Sequence, residues 1–313
     1  MRLRGHTTFD ALLVHSSCMT VPLTTMPRIS FRCLCILFLI LSVIWAPDSY
    51  ADPGSGTPTK STYLYFPDQQ IYPINLADPN RPQFAVLFMY NTQSPEIADT
   101  GDRWYGLKMG GRLGLLQHTI NNDSRYGWLL SLDVGFNGTF DIDHSVDNIG
   151  WDGIYSFLLS YRQNDAWAFK LGTFHVSSHV GDEYIERTGH TRINYTRQEY
   201  QLGVNLTIIN NWQWYAELGT AFDKGNNTLQ DNRRAQTGLQ YLPKQNGWYL
   251  GIDIGATEER DWSLDSTLEF GKYISTGTRT WRYGIEIYHG RAQIGEFFLY
   301  DEKQISIGLW IDI

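Results

Sequence analysis

The chain ends with the stretch that decides its fold class, Gln304-Ile305-Ser306-Ile307-Gly308-Leu309-Trp310-Ile311-Asp312-Ile313. Aliphatic residues occupy every second position of this stretch, and in a β-strand this alternation places them on one face. A terminal edge strand with a bare apolar face invites aggregation in water. In a bilayer, lipid covers that face and barrel closure removes the edge. The stretch therefore predicts the closing strand of a transmembrane barrel.

The chain after residue 83 repeats the same alternation between turn signals. No segment shows a sustained 3.6-residue period, and no second apolar run approaches the length of a membrane helix. The pattern predicts an all-β fold, a transmembrane antiparallel up-and-down β-barrel of about 12 strands that forms one domain over residues 84–313. The predicted strands are 84–92, 104–117, 126–137, 152–162, 166–177, 192–208, 212–222, 233–242, 247–256, 262–273, 281–290 and 303–313.

Residues 1–51 are predicted to be a signal peptide. Arg28 and Arg32 precede an apolar run over residues 34–45, and small residues at positions 49 and 51 place cleavage before Asp52. Met26 stands where such a leader should begin and is an alternative start. Residues 52–83, rich in Pro, Ser, Thr and Gly, predict a periplasmic linker and an extended lead-in that tucks under the barrel.

Cysteine usage and charge exclude several classes of function. All three cysteines lie before Ala51, so the processed chain has no disulfide, thiolate metal site or cysteine nucleophile. Four of the 25 basic and two of the 33 acidic residues also lie before Asp52, which leaves 21 basic and 31 acidic residues. The resulting net charge of −10 argues against nucleic acid as a partner.

The lengths of the connections predict the orientation of the barrel in the membrane. The alternation along each strand predicts which residues face the lumen. Short connections alternate with long ones, which puts the short ones in the periplasm. Six tryptophans are expected at the periplasmic boundary with lipid: Trp128, Trp167, Trp212, Trp248, Trp281 and Trp310. Charges of both signs should face inward and pair, which predicts a filled lumen and leaves a narrow polar channel as the alternative. These are Lys108, Arg112, Asp133, Lys170, Glu217, Asp253, Asp265, Glu269, Arg282 and Glu286.

The end of the chain also resembles the C-terminal signal that bacterial outer-membrane barrels present to their assembly machinery. Ser306, Gly308 and Ile311 stand at signal positions, and Ile313 replaces the usual final aromatic. The resemblance implies that the chain is exported to the bacterial outer membrane and recognised there by the barrel assembly machinery. Together with the proline-rich segment 66–82 and the centre of the chain, it resembles an uncharacterised outer-membrane family, a domain of unknown function.

A polar group on the predicted lipid face is the candidate for chemistry. Parity places His175 and Ser177 outward near the outer rim, with Asn194 on the same face of the next strand. A histidine two residues from a serine can take its proton, and an amide can fix the imidazole tautomer. The alternative is that they are ordinary rim residues, because polar residues near the interface cost only about 0–1 kcal/mol. His179, His190 and His289 are predicted to be surface residues.

The motif resembles outer-membrane phospholipase A, a twelve-stranded barrel with a His-x-Ser pair and an Asn on the next strand. The resemblance implies His175 as general base, Ser177 as nucleophile and Asn194 as the residue that orients the histidine. Lipid A deacylase barrels also carry a His-x-Ser pair. Here Ser178 follows the serine instead of Asn, and the loop over residues 178–191 is longer than in the phospholipase.

The same resemblance implies calcium as a cofactor, for which the loop offers the carboxylates of Asp182, Glu183 and Glu186. Amides around Ser178 and Gly181 are predicted donors to the oxyanion. The resulting hypothesis is an acyl hydrolase acting on phospholipid or lipid A in the outer leaflet, with a homodimer as a further candidate assembly. The alternative is a non-enzymatic structural barrel or narrow channel.

Overall fold

A computed structural model describes residues 61–93, 95–225, 229–276 and 279–312. The predicted signal peptide lies outside these residues. The described chain forms thirteen strands and one short helix, α1 (Asp182–Thr188). The strands are β1 (Thr62–Tyr65), β2 (Phe84–Asn91), β3 (Arg103–Ile120), β4 (Asp123–Asp141), β5 (Asp147–Arg162), β6 (Trp167–Val180), β7 (Thr196–Ile209), β8 (Trp212–Asp223), β9 (Arg233–Tyr241), β10 (Gly247–Thr257), β11 (Leu264–Thr276), β12 (Arg279–Arg291) and β13 (Asp301–Asp312).

Strands β2 to β13 form a closed antiparallel barrel, as the sequence predicts. Each strand pairs with its neighbours in the chain, and β13 pairs with β2 from Gln304↔Asn91 to Ile311↔Phe84. The C-terminal alternation therefore belongs to the strand that closes the barrel. Strand β1 is an addition to the prediction, and it pairs with the end of β3 from Thr62↔Thr119 to Tyr65↔Leu116. No helix in the described parts of the chain is long and apolar enough to cross a membrane.

The two faces of the barrel wall separate as the alternation predicts. Ile305, Ile307 and Leu309 of β13 are exposed on the outside, while Gln304 and Ser306 are buried inside. Trp310 differs from the prediction of a lipid boundary position, because it is completely buried and packs beneath the guanidinium of Arg282. Trp310 occupies an inward-facing position in the alternating pattern of β13. The alternation alone therefore predicts that it is buried, whereas its aromatic character suggested a position at the lipid boundary.

The proline-rich segment before β2 lies inside the barrel. The amide of Asn75 donates to Glu217 on β8 at 2.6 Å, and Leu76 N donates to Gln240 on β9 at 2.9 Å. Lys108 of β3 donates to the carbonyl of Pro79 at 2.8 Å. Side chains from several strands thus form hydrogen bonds with backbone groups of a segment that is not itself paired in a sheet. We call residues 67–83 the plug.

The charges predicted to face inward are enclosed in the lumen and most of them form ion pairs. Arg112 holds Asp133 through two hydrogen bonds of 2.6 and 2.8 Å, a bidentate arrangement. Lys170 Nζ lies 2.6 Å from Glu217 Oε1, and Arg282 pairs with Glu269. With the plug in place, these groups leave a cavity of about 120 Å³. The lumen is therefore filled, as predicted.

The connection over residues 292–300 covers the lumen at the end of the barrel that carries the long connections. Ile294 and Phe297 pack with Ile149 of β5, Val180 of β6 and Tyr184 of α1. Glu296 anchors this connection, because its carboxylate accepts from the backbone N–H groups of residues 193 and 195 at 2.8 and 2.9 Å. The long connections at this end therefore pack against one another above the charged lumen.

Candidate active site on the outer face of β6

Strand β6 carries the candidate site on its outward face. Trp167, Phe169 and Leu171 are exposed on this face, between 40% and 46%. The same parity continues through Thr173 to His175, Ser177 and His179, which are half-buried. The strand extends to Val180, so His179 belongs to the wall rather than to the loop where the sequence placed it. Val176, Ser178 and Val180 are buried, so the alternation of the strand continues through position 180. Continuing the same alternation in the sequence would have predicted the longer strand.

The hydroxyl of Ser177 contacts the imidazole of His179, the histidine nearer to the C-terminal end of β6. Ser177 Oγ lies 3.4 Å from His179 Nε2, a distance at the long end for a hydrogen bond. His175 instead stacks on Tyr155 of β5, with ring centroids 4.3 Å apart, and no described residue hydrogen-bonds its Nδ1. Ser177 therefore has a histidine on each side along one face, and the one in contact is His179.

Asn194 lies nearer to the position of His179 than to that of His175. Residues 175 and 177 pair with Gln198 and Thr196 of β7. Ser178 N donates to the carbonyl of residue 195 at 2.9 Å, which continues this pairing by one position. Asn194 follows in a left-handed conformation with φ of 54° and is exposed. Within the described chain no hydrogen bond joins its side chain to either histidine, so its predicted role in orienting His175 stays a prediction.

Two backbone contacts hold the chain on either side of Asn194. The carboxylate of Glu296 accepts from the N–H groups of Ile193 and Tyr195. The Tyr195 ring points inward and packs against Phe298, with centroids 5.2 Å apart. Burial raises the pKa of the Tyr195 phenol to about 12, so it stays protonated at neutral pH. These anchors fix the backbone of Asn194 while its side chain is exposed.

The site lies at the outer limit of the lipid-facing band. Ten residues separate Trp167 from Ser177, a path of about 33 Å along an antiparallel strand. In a strand tilted by about 40°, this path rises about 25 Å, which is the height of the apolar band of a typical outer-membrane barrel. Trp167 lies at the end of the barrel with short connections, so Ser177 lies about one such height away, toward the end with long connections.

The two amides predicted as oxyanion donors are already engaged. Ser178 N donates to residue 195, and Gly181 N donates to the carbonyl of Ile149 at 3.0 Å. Both serve the backbone of the wall, so neither points at a substrate beside Ser177. A different donor is closer at hand, because Thr196 lies directly opposite Ser177 on β7 and shares its outward face.

The predicted calcium ligands do not form a cluster. Asp182, Glu183 and Glu186 lie on α1 and are exposed, and Asp182 Oδ1 accepts from Arg192 at 2.8 Å. Calcium takes six to eight oxygen ligands, yet no group of three or more acidic or histidine side chains converges anywhere in the described ranges. These three residues therefore do not fit a calcium site as they are arranged.

Solved structures with this fold include outer membrane phospholipases. An active-site mutant of the Escherichia coli enzyme superposes with a TM-score of 0.53 at 9% identity, covering 74% of this chain and 90% of that one. A Salmonella typhi outer membrane phospholipase dimer with bound calcium gives 0.53 at 10% identity, covering 77% and 95%. At this identity, the likeness establishes the fold of a bacterial outer-membrane β-barrel and nothing finer.

Sequence comparison assigns the chain to a family. No curated protein matches it. A family model described as a protein of unknown function (DUF1207) matches residues 58–311, which include the plug and every strand of the barrel. The predicted resemblance to an uncharacterised outer-membrane family is thereby confirmed, and the chain belongs to the DUF1207 family.

Proposed function

We propose that this chain is an enzyme of the bacterial outer membrane that hydrolyses acyl esters of outer-leaflet lipids, with Ser177 as its nucleophile. One observation carries the proposal: Ser177 Oγ lies 3.4 Å from His179 Nε2 on the lipid-facing side of the wall. A hydroxyl and an imidazole in contact are the two parts that nucleophilic acyl transfer requires. Their position at the rim supports a lipid as the substrate, because a membrane lipid meets the protein only from outside.

The reaction follows from this placement. As Ser177 Oγ bonds to the ester carbonyl carbon, its proton passes to the imidazole, and the imidazole returns a proton to the leaving alcohol. Water then hydrolyses the acyl-serine, which releases the fatty acid and restores the hydroxyl. We assign the base to His179 from its contact with the serine, and we propose that Asn194, which comes opposite His179 when the ladder is continued, orients it. His175, the base implied by the sequence motif, remains the second candidate.

The developing oxyanion requires a donor on the same face. We propose the hydroxyl of Thr196, which is opposite Ser177 in the ladder and lies on the outward side. This role does not depend on calcium, which remains a proposal carried only by the resemblance of the motif.

The proposed partners are those of an outer-membrane enzyme. Phospholipid and lipid A both present acyl esters to an outward-facing serine, and the fold gives no reason to prefer one. The alternating strand β13, which closes the barrel, supports recognition by the barrel assembly machinery. A homodimer and a cleaved signal peptide over residues 1–51 belong to the same proposal.

Incubation of the purified protein with bacterial lipids tests the proposal. Mass spectrometry should detect released fatty acid with the wild-type chain and none with Ser177→Ala. Ser266→Ala is the matched control, because Ser266 also faces outward and lies opposite His289 in the ladder. Parallel incubations with calcium and with chelator test the cofactor. Release that persists in Ser177→Ala, or no release from any bacterial lipid, would overturn the proposal.

A second candidate function is a non-enzymatic structural barrel or a narrow channel. The charged lumen favours it, since Lys170 lines the remaining cavity and Glu286 is also buried on the inner face. A channel predicts conductance in planar bilayers that changes when Lys170 or Glu286 is replaced and is indifferent to Ser177→Ala. Silent bilayers at all voltages would leave the structural barrel as the only form of this alternative.

A further inference from the structure

A depression lies beside Ser177 on the neighbouring strand. In the ladder between β5 and β6, Ser177 is opposite Gly153, which has no side chain to fill the outward face. A Cβ atom built on Gly153 would meet nothing closer than Trp151 Cζ3 at 3.6 Å and the carbonyl oxygen of Ser177 at 3.9 Å. A side chain at this position would therefore begin in ordinary van der Waals contact, without a clash, and glycine leaves that space unfilled.

Two aromatic–histidine pairs border the depression along the strands. On one side, Tyr155 stacks on His175 with ring centroids 4.3 Å apart and planes at 21°. On the other, Trp151 stacks on His179 at 4.2 Å and 23°. Rings held face to face across the ladder make firm walls, since each pair is fixed by its register and by contact.

A third aromatic residue lies on the side away from Ser177. Phe136 of β4 is opposite Gly153 in the next ladder, and it stacks on Trp151 at 5.5 Å. We call this depression the Gly153 slot, with Gly153 as its floor and Phe136, Trp151, Tyr155 and Ser177 around it. Toward the membrane interior the wall continues through Val134 and Phe157, which are 48% and 51% exposed.

We propose that the Gly153 slot binds the first part of the acyl chain and presents its ester carbonyl to Ser177. The inference rests on the proposed function and names the structure that selects the substrate. Its walls are apolar and aromatic, which suits methylene groups. They join the lipid-facing band without a polar barrier, so a chain can extend from the slot over Val134 and Phe157. The slot therefore selects esters of long, unbranched acyl chains.

Filling the slot should exclude long chains and spare small reagents. The probes are two fluorophosphonates, one with an ethyl group and one with a hexadecyl group, each of which reacts with an activated serine. Gly153→Leu should reduce labelling by the hexadecyl reagent roughly 10- to 100-fold, the range that steric fit in an apolar pocket gives. Labelling by the ethyl reagent should stay within about threefold of wild type, because the small reagent needs no slot.

Gly111→Leu is the matched control. Gly111 also faces outward, on β3 opposite Val134, and a Cβ built there meets nothing within 4 Å. It should label like wild type with both reagents. If Gly153→Leu fails to assemble, as judged by heat-modifiable migration on a gel, Gly153→Ala should give a smaller loss with the same selectivity.

The outcomes separate the slot from the function on which it rests. A wild-type chain that neither reagent labels and that releases no fatty acid would overturn the proposed function itself. A wild-type chain that both reagents label, with Gly153→Leu and Gly153→Ala indistinguishable from Gly111→Leu, would overturn the slot alone. Equal losses with the ethyl and hexadecyl reagents would likewise overturn it, because they would indicate damage to Ser177 rather than lost room for a chain.

Discussion

Polar side chains have different partners in the lumen and at the outer rim of β6. Inside, most of the buried charges form ion pairs, as Lys170 does with Glu217 at 2.6 Å. At the rim, polar groups lie on a face that is otherwise apolar, and the buried Nδ1 of His175 has no hydrogen-bond partner in the described structure. Paired charges in a filled lumen make a stiff wall, whereas loosely partnered groups facing lipid have side chains available for a substrate. The difference assigns stability to the inside of the barrel, and the proposed chemistry to its outer rim.

The largest effect is expected from the two histidines that flank Ser177. His179→Ala should lower fatty-acid release by about 10²–10⁴-fold, the contribution of a positioned general base. His175→Ala should cost less than about tenfold, because its ring stacks on Tyr155 rather than contacting the serine. The two rates are measured on the same lipid vesicles. The reverse order of losses would return the role of base to His175.

Breaking a lumen pair should affect stability instead. Lys170→Met leaves the Glu217 carboxylate buried without its cation, which should cost about 3–5 kcal/mol of unfolding free energy. The plug should loosen as well, because Asn75 binds the same carboxylate at 2.6 Å. Urea unfolding of vesicle-inserted protein measures the loss. Arg233→Ala is the control, since Arg233 is 72% exposed and its pair is 4.0 Å apart.

A neutral pair should restore part of that loss. Adding Glu217→Gln to Lys170→Met removes the uncompensated charge, so the double variant should be more stable than Lys170→Met alone. A double variant as unstable as the sum of both changes would mean that the lumen depends on packing rather than on charge matching.

The proposed oxyanion donor predicts a loss confined to turnover. Thr196→Val keeps the shape of the side chain and removes the hydroxyl, which should lower kcat about 10²–10³-fold. Thr196→Ser, which retains the hydroxyl, should recover most of it. The barrel should migrate on gels like wild type in both variants. An unchanged kcat in Thr196→Val would exclude this residue as the donor.

The smallest effect is expected at the opposite end of the outward face. Lys272 Nζ lies 4.0 Å from the centre of the Trp248 ring, at the end of the barrel with short connections. Lys272→Met should remove a cation–π contact of about 0.5–1 kcal/mol and leave fatty-acid release unchanged. A clear loss of activity would show that the chemistry is not confined to the outer rim of β6.

The sequence predicted the parts of this molecule that follow from local alternation. Period 2 located the barrel strands and assigned residues such as Lys170 and Glu217 to the lumen, because lipid and lumen impose opposite polarity at each step. The same rule, carried two residues beyond the predicted end of the strand, places His179 outward. His179 was assigned to the loop because the predicted strand ended before it.

Other features depend on contacts between distant parts of the chain. The plug has no periodicity, and its position is fixed by residues such as Glu217, Gln240 and Lys108 from three separate strands. The engagement of Ser178 N likewise depends on how the loop before β7 returns to the wall. The Gly153 slot is formed by register between β4, β5 and β6, which single-strand patterns do not specify.

Ser177 is proposed to be an activated nucleophile, and mapping of a covalent adduct tests this role. The wild-type chain is treated with the hexadecyl fluorophosphonate in lipid vesicles, digested and analysed by tandem mass spectrometry. We expect one adduct, on Ser177, that is lost in His179→Ala, and no adduct on Ser266. Fatty-acid release accompanied by an unmodified Ser177, or an adduct on Ser266 in its place, would contradict it.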